Sequence, residues 1–158
     1  MKYQKYIATG LGSGYSSLAP GTAGAILGIV LLFIFNKCLL MCHISGTKII
    51  VPDLFAIILI SFAGVKAINK VHKIWQHDDN RIVIDEIVGA WIAALLLPVE
   101  WKYYLGALLL FRFFDITKPL FIKKFDRMHN DWSVMLDDML AGIYALIVMQ
   151  ILIYYNLI

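Results

Sequence analysis

Five long apolar segments run through this sequence, at roughly residues 22–41, 49–68, 82–99, 103–116 and 136–158. After Asp138 the last segment continues for twenty residues without a charge, which is long enough to cross a bilayer as a helix. Ionisable residues at membrane depth are costly and usually face a protein interior or a water-filled cavity. The adjacent acids Asp137 and Asp138, at the mouth of that segment, therefore indicate more than a simple membrane anchor.

The composition is that of a membrane protein. Hydrophobic residues make up 61% and charged residues 16% of the chain, whereas soluble domains contain roughly 45–50% and about 25% of them. A soluble core of this size could not enclose so many apolar side chains, so the surplus must face lipid or a large partner surface. We predict one all-α domain, residues 1–158, forming a polytopic membrane helical bundle of about five apolar helices. The third and fourth segments are short or polar, so we expect them to pack inside that bundle.

Threading the chain through a membrane five times separates its charges. Eleven of the fourteen basic residues fall on the side of the N-terminus, and only Lys37, Lys48 and Lys102 fall on the other side. The positive-inside rule makes the N-terminal side the cytoplasm. Nine of the eleven acids also fall there, with Asp53 and Glu100 as the exceptions. Because the rule does not require this of acids, the sequence predicts a site at the cytoplasmic membrane boundary.

Two stretches share one design, "IVIDEIVGAW" and "MLDDMLAGIYA": an apolar lead, two acids, then small residues that let a neighbouring backbone come close. The acids are Asp85 and Glu86 in the first stretch, and Asp137 and Asp138 in the second. We expect the two helices to meet, and the repulsion between converging carboxylates would be severe without a cation. Oxygen-only ligands suit Mg²⁺, which uses a few carboxylates and keeps waters for a substrate phosphate. The alternative is helix capping and hydrogen bonding between the two helices, because an acid in the first turn of a helix stabilises it by about 0.3–1 kcal/mol.

The stretch "FRFFDITKP" places three charged residues on one face of a helix that ends before Pro119. In the functional interpretation Asp115 joins the metal site, while Arg112 and Lys118 bind an anionic phosphate. The alternative is a salt-bridged helix end whose long side chains reach the membrane surface.

The stretch "TGLGSGYSSLAPGTAG" is rich in glycine and hydroxyl side chains just before the first apolar segment. Exposed N–H groups and a helix N-terminus favour anions, so Gly12, Ser13, Gly14 and Thr22 are candidate phosphate binders. The stretch is not a P-loop, because no Gly-Lys-Ser/Thr follows it. The alternative is a flexible entry loop.

Taken together, four stretches resemble the phosphatidylglycerophosphatase A family: "GLGSGYSSLAPGTAG", "RIVIDEIVGAWIA", "FRFFDITKP" and "VMLDDMLAGIYA". They follow one another in order and cover nearly the whole chain. The family is known for small, very apolar, Mg²⁺-dependent bacterial phosphatases that convert phosphatidylglycerophosphate to phosphatidylglycerol. One departure is visible, because the family usually has a glycine-rich turn before the second acidic pair, where this chain has "MHNDWSVMLDD".

The resemblance implies a phospholipid substrate and a place in the bacterial cytoplasmic (inner) membrane with the active site facing the cytoplasm. We expect no nucleic-acid partner, because the basic residues alternate with apolar runs and form no continuous basic stripe. It leaves homo-oligomerisation open. Carried over residue by residue, it implies catalytic roles for Asp85, Glu86, Asp115, Asp137 and Asp138, with Arg112 and Lys118 as phosphate binders. The alternative from another class is a small membrane transporter with a carboxylate-lined cation site, which the one-sided placement of the acids disfavours.

Overall fold

The computed structural model describes residues 2–75, 79–126 and 131–158, without the side chains at positions 124, 126 and 131. All the regular structure in these ranges is helical, which confirms the all-α prediction. Asp78 and Arg127, which the threading assigns to the cytoplasmic side, lie outside the described residues, as do the first three residues of the stretch "MHNDWSVMLDD", which departs from the family pattern. The α-helices are α1 (Lys2–Ala8), α2 (Pro20–Met41), α3 (Ile50–Val71), α4 (Ile84–Ala94), α5 (Trp101–Thr117), α6 (Ile122–Asp126) and α7 (Asp131–Tyr154), and 3₁₀ helices cover Gly10–Tyr15 and Gly46–Ile49.

Three helical segments are long and apolar enough to cross a membrane: Pro20–Met41, Gly46–Val71 and Trp132–Tyr154. In the apolar window of each, only 33% of the residues are buried inside the protein. Their outer faces carry large apolar side chains, and Phe55 and Ile147 are 68% and 51% exposed. An apolar surface of this extent suits lipid. An all-helical membrane protein is thereby confirmed, whereas the number of crossings and their direction stay predictions.

Helix α4 is the centre of the bundle. Every residue from Ile84 to Ala94 except Glu86 is buried, and α4 contacts α2, α3, α5 and α7. The indole Nε1 of Trp91 donates to the carbonyl oxygen of Gly28 in α2 at 2.7 Å. With 11 residues, α4 is about 16 Å long and does not span the hydrocarbon core. The expectation that the third segment packs inside the bundle is confirmed.

Helix α5 covers the fourth apolar segment, and it does not lie inside the bundle as expected. Its buried residues are Tyr104, Ala107 and Phe111, which lie on the side that meets α4 and α7. On the opposite side Leu109 and Phe113 are 63% and 58% exposed. The prediction that the fourth segment lies inside the bundle is therefore wrong. A short helix with one apolar face outward satisfies its backbone internally and still presents a surface suited to lipid.

Helices α4 and α7 touch through their backbones. A Cβ atom on Gly142 would fall far inside contact distance of the Gly89 carbonyl oxygen, and a Cβ on Gly89 would lie 2.7 Å from the carbonyl oxygen of Asp138. Ala141 and Ala145, beside Gly142, are fully buried. The prediction that the two acid-bearing helices meet is confirmed, and small residues make the close approach possible.

Candidate metal and phosphate site

The five predicted acids come together from three helices. Asp85 and Glu86 occupy the first turn of α4, Asp115 lies near the end of α5, and Asp137 and Asp138 lie near the start of α7. Asp85 and Asp138 are only 7% and 4% exposed. One carboxylate oxygen each from Asp85, Glu86 and Asp138 lies within 4.8 Å of the other two. Three of the four predicted metal ligands therefore form a compact carboxylate trio.

The two remaining acids are paired with basic side chains. The Arg112 guanidinium Nη1 donates to Asp115 Oδ2 at 2.5 Å, and the Asp115 carboxylate lies close to that of Asp138. The Lys118 ammonium donates to Asp137 Oδ2 at 2.9 Å. Asp137, a predicted metal ligand, is thus held by a lysine in this structure. Both predicted phosphate-binding cations lie at the edge of the trio.

The trio fits a divalent metal ion. Three carboxylates this close repel one another strongly when charged, and a cation between them removes that repulsion. The Oε2 atom of Glu86 is buried and has no hydrogen-bond partner within the described ranges, although buried polar atoms are normally satisfied. A hard ion that takes oxygen ligands would supply the missing partner.

The start of α2 also belongs to the site, and Gly21 is a residue that the sequence analysis missed. A Cβ at Gly21 would fall inside contact distance of Glu86 Oε1 and 3.2 Å from Arg112 Nη1. Gly21 and the predicted phosphate binder Thr22 lie in the first turn of α2, whose N–H groups have no helical acceptor and favour anions. The signal in the sequence is Pro20, because proline marks the first position of a helix.

The other predicted phosphate binders lie in a loop whose donors are used locally. The N–H groups of Gly12 and Gly14 both donate to the Thr9 carbonyl oxygen at 3.0 Å, and the Ser13 hydroxyl donates to the Gly10 carbonyl oxygen at 2.9 Å. A Cβ on Gly14 would overlap the carbonyl oxygen of residue 81. In this structure the loop packs against the chain that leads into α4, and its phosphate contact stays a prediction.

The segment before α4 is fixed by a charged pair. Arg81 donates from Nε to Asp79 Oδ1 at 2.8 Å and stacks its guanidinium 4.3 Å from the centre of the Trp75 ring. The N–H of Val83 then donates to the Ala8 carbonyl oxygen at 2.9 Å. The hydrogen bond from Arg81 lowers the pKa of Asp79 below its ordinary value. These contacts hold the entrance of α4 in place, and no sequence signal pointed to them.

An apolar groove of about 270 Å³ lies beside the site, between α5 and α7. It begins at Pro119, next to Lys118, and ends at Val148, which is about 15 Å along α7 from Asp138. Leu120 and Ile147 on its walls are 80% and 51% exposed. The groove therefore leads from the charged end of the bundle along its lipid-facing surface. Its lining residues are Phe114, Pro119, Leu120, Tyr144, Ile147 and Val148.

The fold and the site define a small helical membrane protein with a buried carboxylate cluster that is suited to a metal ion, with basic side chains and an apolar groove next to it. The chain belongs to the phosphatidylglycerophosphatase A family, which it matches over residues 6–153.

Individual relatives match the chain over most of their length, but they do not all carry the same name. A protein of Haemophilus influenzae named phosphatidylglycerophosphatase A is 37% identical, over 96% of this chain and 89% of its own. Its namesake in Escherichia coli is 31% identical, over 88% of this chain and 77% of its own. A Bacteroides thetaiotaomicron protein, provisionally named a phosphatidylinositol-3-phosphatase, is 39% identical, over 92% of this chain and 90% of its own. No solved structure matches the chain at a significant level.

Proposed function

We propose that this chain is a Mg²⁺-dependent phosphatidylglycerophosphatase of phospholipid biosynthesis. It would hydrolyse the terminal phosphomonoester of phosphatidylglycerophosphate to phosphatidylglycerol and inorganic phosphate. The observation that carries the proposal is the convergence of the Asp85, Glu86 and Asp138 carboxylates with Arg112 and Lys118 at one end of the bundle. Membership of the phosphatidylglycerophosphatase A family supports a phosphatase over a transporter.

The apolar groove supports a lipid as the substrate. A phospholipid places its phosphate at headgroup level and its acyl chains in the hydrocarbon core. The charged site lies at the ends of α4, α5 and α7, and the groove is lined on α7 by Tyr144, Ile147 and Val148, which lie about 9–15 Å along the helix from Asp138. A phosphate at the acids and an acyl chain in the groove match this arrangement. We place the single domain, residues 1–158, in the bacterial inner membrane with the site facing the cytoplasm.

In the mechanism that we propose, the chain binds the phosphate and accepts a proton. Asp85, Glu86 and Asp138 would hold Mg²⁺, which when bound neutralises charge on the phosphoryl oxygens. The Arg112 guanidinium and the Lys118 ammonium donate hydrogen bonds to those oxygens, together with N–H groups in the first turn of α2.

The chemical step then follows from the remaining acids. A carboxylate of Asp115 or Asp137 accepts a proton from the water whose oxygen attacks phosphorus. The bond from phosphorus to the glycerol oxygen breaks, and that oxygen takes up the proton that the carboxylate accepted from water. The lipid then leaves with a hydroxyl group, and the phosphoryl group with the water oxygen leaves as inorganic phosphate. The alternative is attack by a carboxylate to give an aspartyl phosphate. Phosphate label retained on acid-quenched enzyme would identify this second route.

The test is phosphate release from phosphatidylglycerophosphate in detergent micelles, with Mg²⁺ or with EDTA. We expect release only with Mg²⁺, and a loss of about a hundredfold or more in Asp85→Asn and in Asp138→Asn, because each removes a preorganised charge at the reaction centre. Glu100→Gln, which changes an exposed acid at the other end of the bundle, serves as the matched control and should keep its activity. If both site variants still release phosphate at the original rate, these acids serve helix capping and not catalysis.

A second arm tests the lipid headgroup. The name of the Bacteroides relative makes phosphatidylinositol 3-phosphate the relevant competitor. At equal mole fraction we expect faster phosphate release from phosphatidylglycerophosphate than from phosphatidylinositol 3-phosphate. The opposite order would show that the chain is a phosphatase with phosphatidylinositol 3-phosphate as its preferred substrate. If neither lipid is hydrolysed, and Asp85→Asn abolishes metal flux in liposomes, the transporter is correct.

A further inference from the structure

A cavity of about 680 Å³ lies between α1, α3 and the first turn of α7. It is at the same end of the bundle as the carboxylate trio, because a Cβ on Gly64, between two residues that line the cavity, would lie 3.1 Å from the side chain of Ile84, which precedes Asp85. The apolar groove of the proposed active site lies between α5 and α7, so the cavity is a separate feature. A ligand bound in it can be tested without reference to phosphatase activity. The residues that line the cavity include Ile7, Ala63, Val65, Lys66, Lys70 and Trp132.

Two lysines give the cavity its charge. Lys66 and Lys70 are four residues apart on α3, so they lie on one face of the helix, and both are exposed. Neither forms an ion pair with an acid of the described residues. No acidic residue in the ranges that the structure covers lines the cavity. The cavity therefore carries a positive charge that its own walls do not neutralise, which favours an anion as the ligand.

Much of the remaining wall of the cavity is apolar. Ile7 and Val65 contribute to it, together with the ring of Trp132. The Trp132 ring meets the Phe62 ring edge to face, with 5.8 Å between the ring centres. Tryptophan at the end of a membrane helix is typical of headgroup level. The cavity thus places cationic N–H donors beside an apolar wall, which is the combination that a phospholipid headgroup and the first carbons of its acyl chains require.

An apolar stripe continues from the cavity along the outside of α3. Phe62, Leu59 and Phe55 follow Lys66 at intervals of three or four residues, which keeps them on the same face of the helix, and they are 54%, 58% and 68% exposed. Phe55 is about 16 Å along the helix from Lys66, which matches one leaflet, or half of the roughly 30 Å hydrocarbon core. The helix face therefore changes from charged to apolar as a phospholipid does between its headgroup and its acyl chains.

We propose that this cavity binds the headgroup of an anionic phospholipid of the surrounding membrane, with an acyl chain of the lipid along the apolar stripe of α3. The ammonium groups of Lys66 and Lys70 donate hydrogen bonds to the phosphate oxygens. A zwitterionic headgroup binds more weakly, because its own cation would lie near two lysines and no described acid lines the cavity to receive it. The bound lipid contacts α1, α3 and α7 together, and it thereby stabilises the packing of the N-terminal helix against the bundle.

The test compares phosphatidylglycerol with phosphatidylcholine of the same acyl chains, each added to the delipidated protein in maltoside micelles with EDTA. We expect phosphatidylglycerol to raise Tm along a saturable curve of its mole fraction, and phosphatidylcholine to leave Tm unchanged. The rise in Tm should shrink with added salt, because salt screens exposed lysines. Equal effects of the two lipids would overturn the proposal. An equal rise with inorganic phosphate alone would also overturn it, since the lysines would then bind a soluble anion.

Single lysine variants locate the site. Lys66→Gln and Lys70→Gln should each weaken the apparent affinity for phosphatidylglycerol about fivefold, the effect of one lysine close to an anionic headgroup. The matched control is Lys73→Gln, which changes an exposed lysine just beyond α3 that does not line the cavity. It should change the affinity less than about twofold, because an exposed charge without a fixed partner contributes little. Equal losses in all three variants would indicate a diffuse attraction to a positive surface and would overturn the site.

Two further variants distinguish this cavity from other surfaces of the protein. Ala63→Phe keeps both lysines and fills the cavity, so phosphatidylglycerol binding should fall about tenfold or more, because a ring and a lipid cannot occupy the same volume. Unchanged binding in Ala63→Phe would overturn the proposal. Lys118→Gln, beside the groove of the proposed active site, should keep the rise in Tm. If the rise is lost in Lys118→Gln and kept in Lys66→Gln, the lipid lies in that groove and the proposal is wrong. A Tm that rises with protein concentration, and not with lipid, would replace the lipid by a second copy of the chain.

Discussion

Gly142 in α7 lies against the carbonyl oxygen of Gly89 in α4, with no room for a side chain between the two backbones. Each glycine is one helical turn beyond an acid of the trio, since Asp85 precedes Gly89 by four residues and Asp138 precedes Gly142 by four. The distance between the two carboxylates is therefore set by a contact between backbones. Such a contact varies less than one between flexible side chains.

Gly142→Ala should destabilise the protein by about 1–3 kcal/mol, because the new methyl group overlaps the α4 backbone. The matched control is Gly106→Ala in α5, where the methyl group would meet only the flexible end of Met149 at 3.1 Å. A better helix propensity of roughly 1 kcal/mol offsets that contact. Thermal unfolding in detergent measures both variants, and equal losses in the two would contradict the role of the α4–α7 contact.

Mg²⁺ should stabilise the folded protein even without substrate. A ligand that binds only the folded state at 100 times its Kd adds about 2.7 kcal/mol, so Tm should rise with Mg²⁺ and fall back with EDTA. In Glu86→Gln, which removes the charge beside the buried Oε2 atom, this rise should largely disappear. It should persist in Glu100→Gln. An unchanged Mg²⁺ response in Glu86→Gln would remove Glu86 from the metal ligands.

Arg112→Lys should lower kcat/KM by roughly tenfold to a hundredfold, the range of one lost charge-assisted hydrogen bond. The lysine keeps the charge but lacks the planar fork that binds a carboxylate and a phosphate together. Lys48→Arg, an exposed basic residue just before α3, is the control for a general effect of basic side chains. Full activity in Arg112→Lys would show that only the positive charge at this position matters and not the planar guanidinium group.

Low pH should remove the contribution of Asp79 to the stability of the folded protein. Because Arg81 lowers the pKa of Asp79 in the folded state, this carboxylate stabilises the protein above its unfolded pKa of about 3.9, and the contribution is lost as pH falls toward the folded value. The difference in Tm between the natural chain and Asp79→Asn should therefore be constant near neutral pH and shrink below about pH 4. A difference that is constant down to pH 3 would show that the charge of Asp79 does not matter.

The sequence predicted the parts of the site that lie on regular helices. The repeat of apolar lead, acid pair and small residues placed Asp85, Glu86 and Asp138 near one another, and helical periodicity put Arg112 and Asp115 on one face. Both inferences rest on local patterns with a known period. They needed no knowledge of how the chain turns between helices.

Contacts between distant residues could not be predicted in this way. Asn36 and Tyr104 are 68 residues apart, and nothing local to either indicates that the Asn36 amide donates to both Tyr104 and Asp53. The N–H groups of Gly12 and Gly14 were expected to be available to phosphate. Sequence alone does not show which carbonyl groups inside a loop accept hydrogen bonds, and here both N–H groups donate to the Thr9 carbonyl oxygen. The outward face of α5 was missed for another reason. An apolar residue in the sequence does not show whether it contacts protein or lipid, because both surroundings are apolar.

The groove between α5 and α7 opens along the side of the bundle, where Leu120 and Ile147 are exposed. A lipid that reaches the acids by this route moves within the plane of the membrane and never passes through bulk water. The quantity that then sets the turnover rate is the mole fraction of substrate in the surface around the enzyme. Diluting the vesicles would leave the rate per enzyme unchanged, whereas diluting the substrate with neutral lipid would lower it.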